Sequence, residues 1–351
     1  MRNHRWVLLL SLLAIAASSL LLLGAAAGNG GSGDLERARA AQQRHTDGLL
    51  ANPDVAGTAV GYTEAGEPAV LVFTSRAGVG GIPASLDGVP VAVHVTGAFS
   101  ALNSAPPGAA AARAAGAKVN RKARFDPVPI GVSTGNELSC SAGTIGARVL
   151  KGATGYALSN NHVYAEENDG VRGVTKVYQP GLYDSGCVKK TENELGALTD
   201  YVDIVFSDTA NNEVDAAIAE PTSRTLLNST PDDGYGTPRS ATAAPYVGLK
   251  VQKYGRTSGL TKGQVVGVDA TVKVGYGSGV ARFVHQIVIL GNKPFLRSGD
   301  SGSLVVTSTA QGSISDKTSV GLAFAASSNG YAIANEIDRV LSALGIAIDG
   351  A

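Results

Sequence analysis

The sequence predicts an all-β fold over residues 125–351, built as two antiparallel barrels or sandwiches with a C-terminal helix, and a small α/β domain ahead of it at 28–102. Three observations carry this. From Phe125 onward the chain is a succession of short β-rich segments, about six of them twice over, divided by Gly, Asn and Asp turns. The last stretch, "NEIDRVLSALG", instead places Ile337, Val340, Leu341 and Leu344 at helical spacing, with Asn335 as cap and Gly345 as stop. An Ala-, Gly- and Pro-rich tract at 103–124, ending in basic residues without an apolar face, reads as a solvated linker between the two parts and a place for proteolytic nicking.

The chain opens with Arg2 and Arg5, an apolar run from Trp6 to Leu23, and small residues ending at Ala27. That is the layout of a secretory signal peptide over 1–27; the competing reading is an uncleaved membrane-tethering helix, since the run reaches the lower limit of a membrane span. Next, Asp34 can cap a helix running to about Leu50 and ended by Pro53. "VAGTAVGY" (55–62), "PAVLVFTS" (68–75) and "GVPVAVHVTG" (88–97) read as strands. Residues 28–102 hold no cluster of nucleophile, base and acid, so His45 and His94 read as surface or satisfied histidines. This domain is expected to bind a partner or mask a site on the rest of the chain, as a pro-region would.

Lys and Arg together number 29, as do Asp and Glu, which removes the electrostatic case for a nucleic-acid or anionic-membrane partner. Cys140 and Cys187 are the only cysteines; in an exported chain they pair as a disulfide, and closing that loop stabilises by about 4 kcal/mol in the chain-entropy model. The acidic stretch "STPDDGYG" (229–236) lacks a calcium-ligand spacing, and no metal or other cofactor is expected.

"RSGDSGSLVV" (297–306) sets Ser301 between glycines, beside an acid, before an apolar strand. A tight turn would choose the same residues, so the rest of the chain decides. A serine hydroxyl attacks only when a positioned base takes its proton, and histidine is the usual base. Within 125–351 the choices are His285, in mid-strand, and His162 in "LSNNHVYA", where a short strand ends in two asparagines. Strand-end loops favour the second. The base needs an orienting carboxylate. Asp203 in "YVDIVF" continues a strand, whereas Asp215 in "NEVDAAIAE" enters one after a turn and is preferred. The order His162, Asp215, Ser301 differs from the subtilisin and α/β-hydrolase orders, and "GDSGS" around Ser301 lacks the G-x-S-x-G elbow.

On "LSNNHVYA", "NEVDAAIAE" and "SGDSGSLVV", in that order, residues 125–351 resemble the chymotrypsin/trypsin-like serine protease superfamily in a bacterial exported form. The resemblance implies two six-stranded β-barrels. It implies that Ser301 attacks a peptide carbonyl, His162 shuttles the proton, Asp215 orients the imidazole, and the N–H groups of Gly299 and Ser301 form the oxyanion hole, with Asp300 shaping the loop. By the same pattern the residue six before the serine, Phe295, lies at the base of the primary specificity pocket, favouring a neutral or small side chain at the cleavage site. The function expected is a secreted or periplasmic serine endopeptidase acting on protein or peptide substrates through an acyl-enzyme. The alternative is a non-proteolytic binding or scaffold protein that keeps the fold.

Three departures from the family pattern stand out. Ser303 replaces the usual second glycine after the serine, no Ile-Val-Gly-Gly start exists beyond a loose "PIGV" at 129–132, and the cysteines bracket His162 widely. The counter-charge of Asp300 is therefore left open. Arg256 and Thr257 in "KYGRTSGLTKGQVVGV" (253–268) read as a hairpin turn.

Overall fold

A computed structural model describes residues 32–102 and 119–351. The expected leader at 1–27 and the linker at 103–124, apart from its last six residues, lie outside the described residues.

The chain begins with helix α1 (Ser32–Leu50), followed by β1 (Val55–Tyr62), β2 (Pro68–Thr74), β3 (Ser85–Leu86), β4 (Val89–Val95) and β5 (Phe99–Ala101). Of these, α1, β1, β2 and β4 match the sequence expectation to within about two residues, because the turn chemistry between them is strong, with Gly66, Gly88 and Gly97 all at positive φ, whereas β3 and β5 are not among the expected strands.

A first β unit follows: β6 (Ser133–Asn136), β7 (Gly143–Thr144), β8 (Ala147–Lys151), β9 (Thr154–Ser159), the single turn α2 (Asn161–Tyr164), β10 (Lys176–Tyr178), β11 (Glu194–Tyr201) and β12 (Ala217–Pro221). The second β unit comprises β13 (Lys250–Gly255), β14 (Gly259–Gly275), β15 (Val280–Leu290), β16 (Leu304–Thr307), β17 (Ser319–Ser327) and β18 (Ala332–Glu336). Its six strands run β13-β16-β17-β18-β15-β14 and close on themselves through β13–β14 pairing. Helix α3 (Ile337–Leu344) and a short β19 (Ala347–Ile348) end the chain. The architecture is thus the one the sequence predicts, two antiparallel β units with a C-terminal helix.

Helix α3 fastens the two units together. Ile337, Val340 and Leu344 pack in one cluster with Leu304 and Leu322 of the second unit and Val149 and Leu158 of the first, and β19 adds to the first sheet beside β8. Gly345 ends the helix in the left-handed region as expected. Its cap is Glu336, however, and not Asn335, because Asn335 still belongs to β18 and spends its side chain elsewhere. The strand expected to continue through "YVDIVF" likewise ends at Tyr201, where the Val202 N–H donates to Ala216 O and the Val202 carbonyl accepts from the Asn161 side chain.

The N-terminal strands do not form a sheet of their own. Strand β1 pairs antiparallel with β14, placing Gly57 opposite Val272 and Val60 opposite Val268, so that β1, β2, β4 and β3 extend the second unit's sheet. This explains why β1 lacks polar alternation: its residues are buried on both faces from Val55 to Gly61. Val60, Val70 and Val72 share a cluster with Val265, Val268, Ile287 and Ile289. Ion pairs Arg39–Asp269 (2.6 Å) and Arg282–Asp47 (2.8 Å) edge the seam.

A Cβ on Gly57 would stand 2.7 Å from Thr271 O and 2.8 Å from Val272 Cγ1. Gly57→Val is therefore expected to cost about 1–3 kcal/mol by forcing β1 off β14. Chemical denaturation should show the lower midpoint, and hydrogen exchange should show faster exchange in β1 and the facing part of β14, with the first β unit unchanged.

Candidate active site

Strands β9 and β12 are neighbours, with Ser159 opposite Ala217. The segments just beyond this pair, His162 in α2 and Asp215 before β12, therefore emerge side by side. His162 Nδ1 lies 2.6 Å from Asp215 Oδ2, and the His162 backbone N–H donates to Oδ1 at 3.3 Å. Both side chains are wholly buried. Asp203, the competing acid of the sequence, is exposed.

Asp215 is fixed from every side. Asn160 Nδ2 donates to its carbonyl at 2.7 Å, and its N–H donates to Asn335 Oδ1 at 3.1 Å. Asn335 also donates to Leu322 O, which is where the side chain expected to cap α3 is used. Tyr276, in the β14–β15 hairpin, donates its hydroxyl to Asp215 Oδ2 at 2.9 Å and stands edge-on to the His162 ring, centroids 5.9 Å apart. Burial and the adjacent Asp215 charge push the Tyr276 hydroxyl well above the ordinary phenol range, keeping it a donor. Sequence reading missed Tyr276, since nothing local marks it.

Ser301 lies in the turn before β16 and is fully buried. Its hydroxyl donates to Phe324 O at 3.2 Å, with Leu102 O at 3.5 Å. His162 Nε2 is buried with no hydrogen-bond partner among the described residues. Gly299 and Gly302, either side of the serine, adopt φ of 90° and 89°, a conformation that favours glycine. A Cβ at Gly302 would also meet Thr144 O at 2.3 Å. The Gly299 N–H donates to Leu102 O at 3.1 Å, while Gly302 N–H is taken up by Ala323 O. Thr144, on the first unit, receives the turn: its N–H donates to Ser301 O (2.8 Å) and its hydroxyl to Gly299 O (2.9 Å).

The acid beside the serine is the anchor of this turn. Asp300 is wholly buried and accepts from Thr257 N–H (2.8 Å), Ser258 N–H (3.0 Å) and Arg297 N–H (3.0 Å), with Lys253 Nζ at 3.1 Å. Its counter-charge is thus Lys253, and "PIGV" lies in the core of the first unit, with Ile130 and Val132 in its central cluster. Burial works to raise the Asp300 carboxyl, but Lys253 and the Ser258 and Thr257 donors outweigh it and hold it below the ordinary range. Burial pushes Lys253 down, against the pull of Asp300. Ser303 donates its hydroxyl to Asp300 O at 2.6 Å, so the departure from glycine is absorbed as a further tie.

The turn at 255–259 does more than reverse the chain. Arg256 forms a buried two-pronged pair with Asp184 (2.6 and 2.5 Å), and Thr257 Oγ1 donates to Ser298 O (2.7 Å). Cys140 and Cys187 are bonded, joining the β6–β7 loop to the segment just after Asp184.

Phe295, expected at the base of the specificity pocket, is wholly buried in the cluster of Val265 and Ile289, against which Leu102 also packs. His285 faces Asp269 at 3.5 Å and His45 faces Asp87 at 3.1 Å. His94, half-buried beside Phe73 and Tyr331, is pushed down by burial. In the acidic loop, Asp233 accepts from Tyr254 and pairs with Arg121 at 3.5 Å. Among the described residues there is no group of three or more His, Cys, Asp or Glu placed to hold a metal ion.

No family model matches the chain, and no curated protein matches it. Among solved structures it is similar to bacterial chymotrypsin-like serine proteases. A glutamic acid specific serine protease is 19% identical with a TM-score of 0.43, covering 63% of this chain and 100% of that one. Thermobifida fusca protease A is 17% identical with a TM-score of 0.45, covering 64% and 99%. Cellulomonas bogoriensis chymotrypsin is 18% identical with a TM-score of 0.42, covering 65% and 100%.

Lys253→Met leaves the Asp300 carboxylate buried without its partner, and is expected to destabilise by about 3–5 kcal/mol, measured by denaturant unfolding. Adding Asp300→Asn to it should recover part of that loss. Because the folded Asp300 carboxyl is held low, its contribution is present above about pH 4, the unfolded value, and is lost as pH falls through the folded value. Wild-type stability should therefore drop more steeply with acid below pH ~4 than that of Asp300→Asn.

Proposed function

We propose that the protein is an exported serine endopeptidase. The observations that support this are the buried His162–Asp215 pair and the glycine-flanked Ser301, whose hydroxyl lies 3.5 Å from the Leu102 carbonyl oxygen that also accepts from the Gly299 N–H. A carboxylate on Nδ1 keeps the imidazole proton there and leaves Nε2 as the basic nitrogen. The Ser301 hydroxyl, rotated from Phe324 O to Nε2, gives its proton to His162 as Oγ attacks the substrate carbonyl. Charge then develops on the carbonyl oxygen, and the Gly299 N–H, with that of Ser301, stabilises it without reorganisation because the turn is already held by Asp300. His162 returns the proton to the leaving amine, and water resolves the acyl-enzyme by the same route. Asp215 is held by Tyr276, Asn160 and Asn335, so the imidazole orientation survives the charge cycle.

The export reading rests on the leader pattern at 1–27 and on the disulfide, which suits a periplasmic or extracellular compartment. Among the described residues no helix is long and apolar enough to cross a membrane. We assign residues 28–102 as a module that covers the active site, on the strand β5 that enters it.

Ser301→Ala is expected to lower peptide turnover by roughly 10⁶-fold while leaving the unfolding midpoint near that of wild type. A chromogenic peptide assay and thermal unfolding measured together check this. Turnover surviving in the variant would exclude Ser301 as the nucleophile.

A further inference from the structure

Three consecutive non-glycine residues just after α2, Glu166, Glu167 and Asn168, hold φ of 45°, 58° and 85°. Residues with side chains seldom adopt this left-handed conformation, and a run of three persists only where the surroundings over-determine it. The two outer residues are tied within the first unit. Glu166 Oε2 accepts from Asn136 Nδ2 at 2.7 Å and from Ser139 Oγ at 2.6 Å. Asn161 Nδ2 donates to Asn168 Oδ1 at 2.8 Å, and Asn168 Nδ2 donates to Ile204 O at 2.8 Å.

Glu167, between them, reaches across to the second unit. It is buried, and its two carboxylate oxygens accept from Gly277 N–H at 3.1 Å and Ser278 N–H at 2.7 Å. Those residues form the tip of the β14–β15 hairpin, a turn closed by Tyr276 N–H donating to Gly279 O at 2.7 Å. A carboxylate that takes two backbone N–H groups fixes direction as well as distance. What it aims is Tyr276, the first residue of that turn. The Tyr276 ring packs among His162, Phe206 and Phe283, with centroids 5.9, 5.7 and 6.1 Å away, and its hydroxyl donates to Asp215 Oδ2 at 2.9 Å.

That donor has no substitute around the acid. Asn160 and Asn335 grip only the Asp215 backbone. Among the described residues the carboxylate itself has three donors: the His162 backbone N–H, His162 Nδ1 and the Tyr276 hydroxyl. Of the three, Tyr276 alone is independent of the histidine that the carboxylate must orient. We infer that Glu167 is a positioning residue for the His162–Asp215 pair: by holding the tip of the β14–β15 hairpin it aims the Tyr276 hydroxyl at Asp215 Oδ2, and so fixes the plane of the carboxylate that orients the imidazole. This rests on the endopeptidase reading above. The circuit runs from His162 along the chain to Glu167, across to the hairpin tip, through Tyr276 to Asp215, and back to His162 Nδ1.

The test compares the full chain as wild type, Tyr276→Phe, Glu167→Gln and the double variant. Glu167→Gln is isosteric and Tyr276→Phe keeps the ring packing, so both retain the fold, which near-ultraviolet circular dichroism checks. The readouts are peptide-anilide kinetics and the proton NMR resonance of His162 Nδ1–H, assigned by its loss in His162→Ala. Each single variant should lower kcat by roughly 10-fold with KM changed by less than about twofold, and displace the resonance in the same direction. Because Glu167 acts through the Tyr276 hydroxyl, the double variant should be no slower than Tyr276→Phe, whereas independent effects would multiply to roughly 100-fold. A folded Glu167→Gln chain with the wild-type kcat and resonance overturns the proposal, and so does a double variant whose losses multiply. A wild type that hydrolyses no peptide overturns the endopeptidase reading instead. The resonance then decides on Glu167 alone: displaced alike in both single variants it supports the positioning role, and unmoved in Glu167→Gln it overturns it.

Discussion

The Asp300 carboxylate, sealed from water and held by Lys253 and three backbone N–H groups, is the constraint on which the site depends. Taking two charges out of water is costly unless the geometry and remaining hydrogen bonds compensate. Here they do so by drawing the 253–258 turn and the 297–303 turn onto one another. That contact sets Gly299 at positive φ with its N–H facing the groove, and Thr144 of the first unit clasps the same turn from the other side. The pairing also supplies a positive charge from within the folded chain, so shaping the serine turn requires no newly formed N-terminus.

The second dependence is on the β14–β15 hairpin. Its outer edge carries β1, and its tip carries Tyr276, which reaches Asp215. The seam that docks the N-terminal unit and the support of the His162 partner are therefore parts of one element. Strand β5, at the end of the N-terminal unit, lies between β14 and β17 and ends at Ser301. Docking, site support and occupancy of the groove are thus mechanically joined.

Much of this was legible in the sequence where the signal is local. The glycines around Ser301 demand positive φ, and the strand-end position of His162 and the turn before Asp215 mark loops held by a sheet. The chain order then narrows the choice of partners. What was not legible is non-local. Lys253 reads as an ordinary strand lysine until the fold brings it to Asp300, and Tyr276 reads as a hairpin tyrosine. Asn335 sits where a helix cap belongs by local pattern, but the pull of Asp215 and Leu322 on its side chain wins. "VAGTAVGY" offered a clue in its missing alternation, since a strand apolar on both faces must be covered on both. Only the three-dimensional pairing identifies β14 as its partner.

The most direct measurement is a crystal structure of the full chain carrying Ser301→Ala, which removes the nucleophile and preserves the groove. The account predicts residues 99–102 paired along β17, with the Leu102 carbonyl within hydrogen-bonding distance of the Gly299 N–H. An open groove with residues 99–102 placed elsewhere, while β1 still pairs with β14, would contradict it.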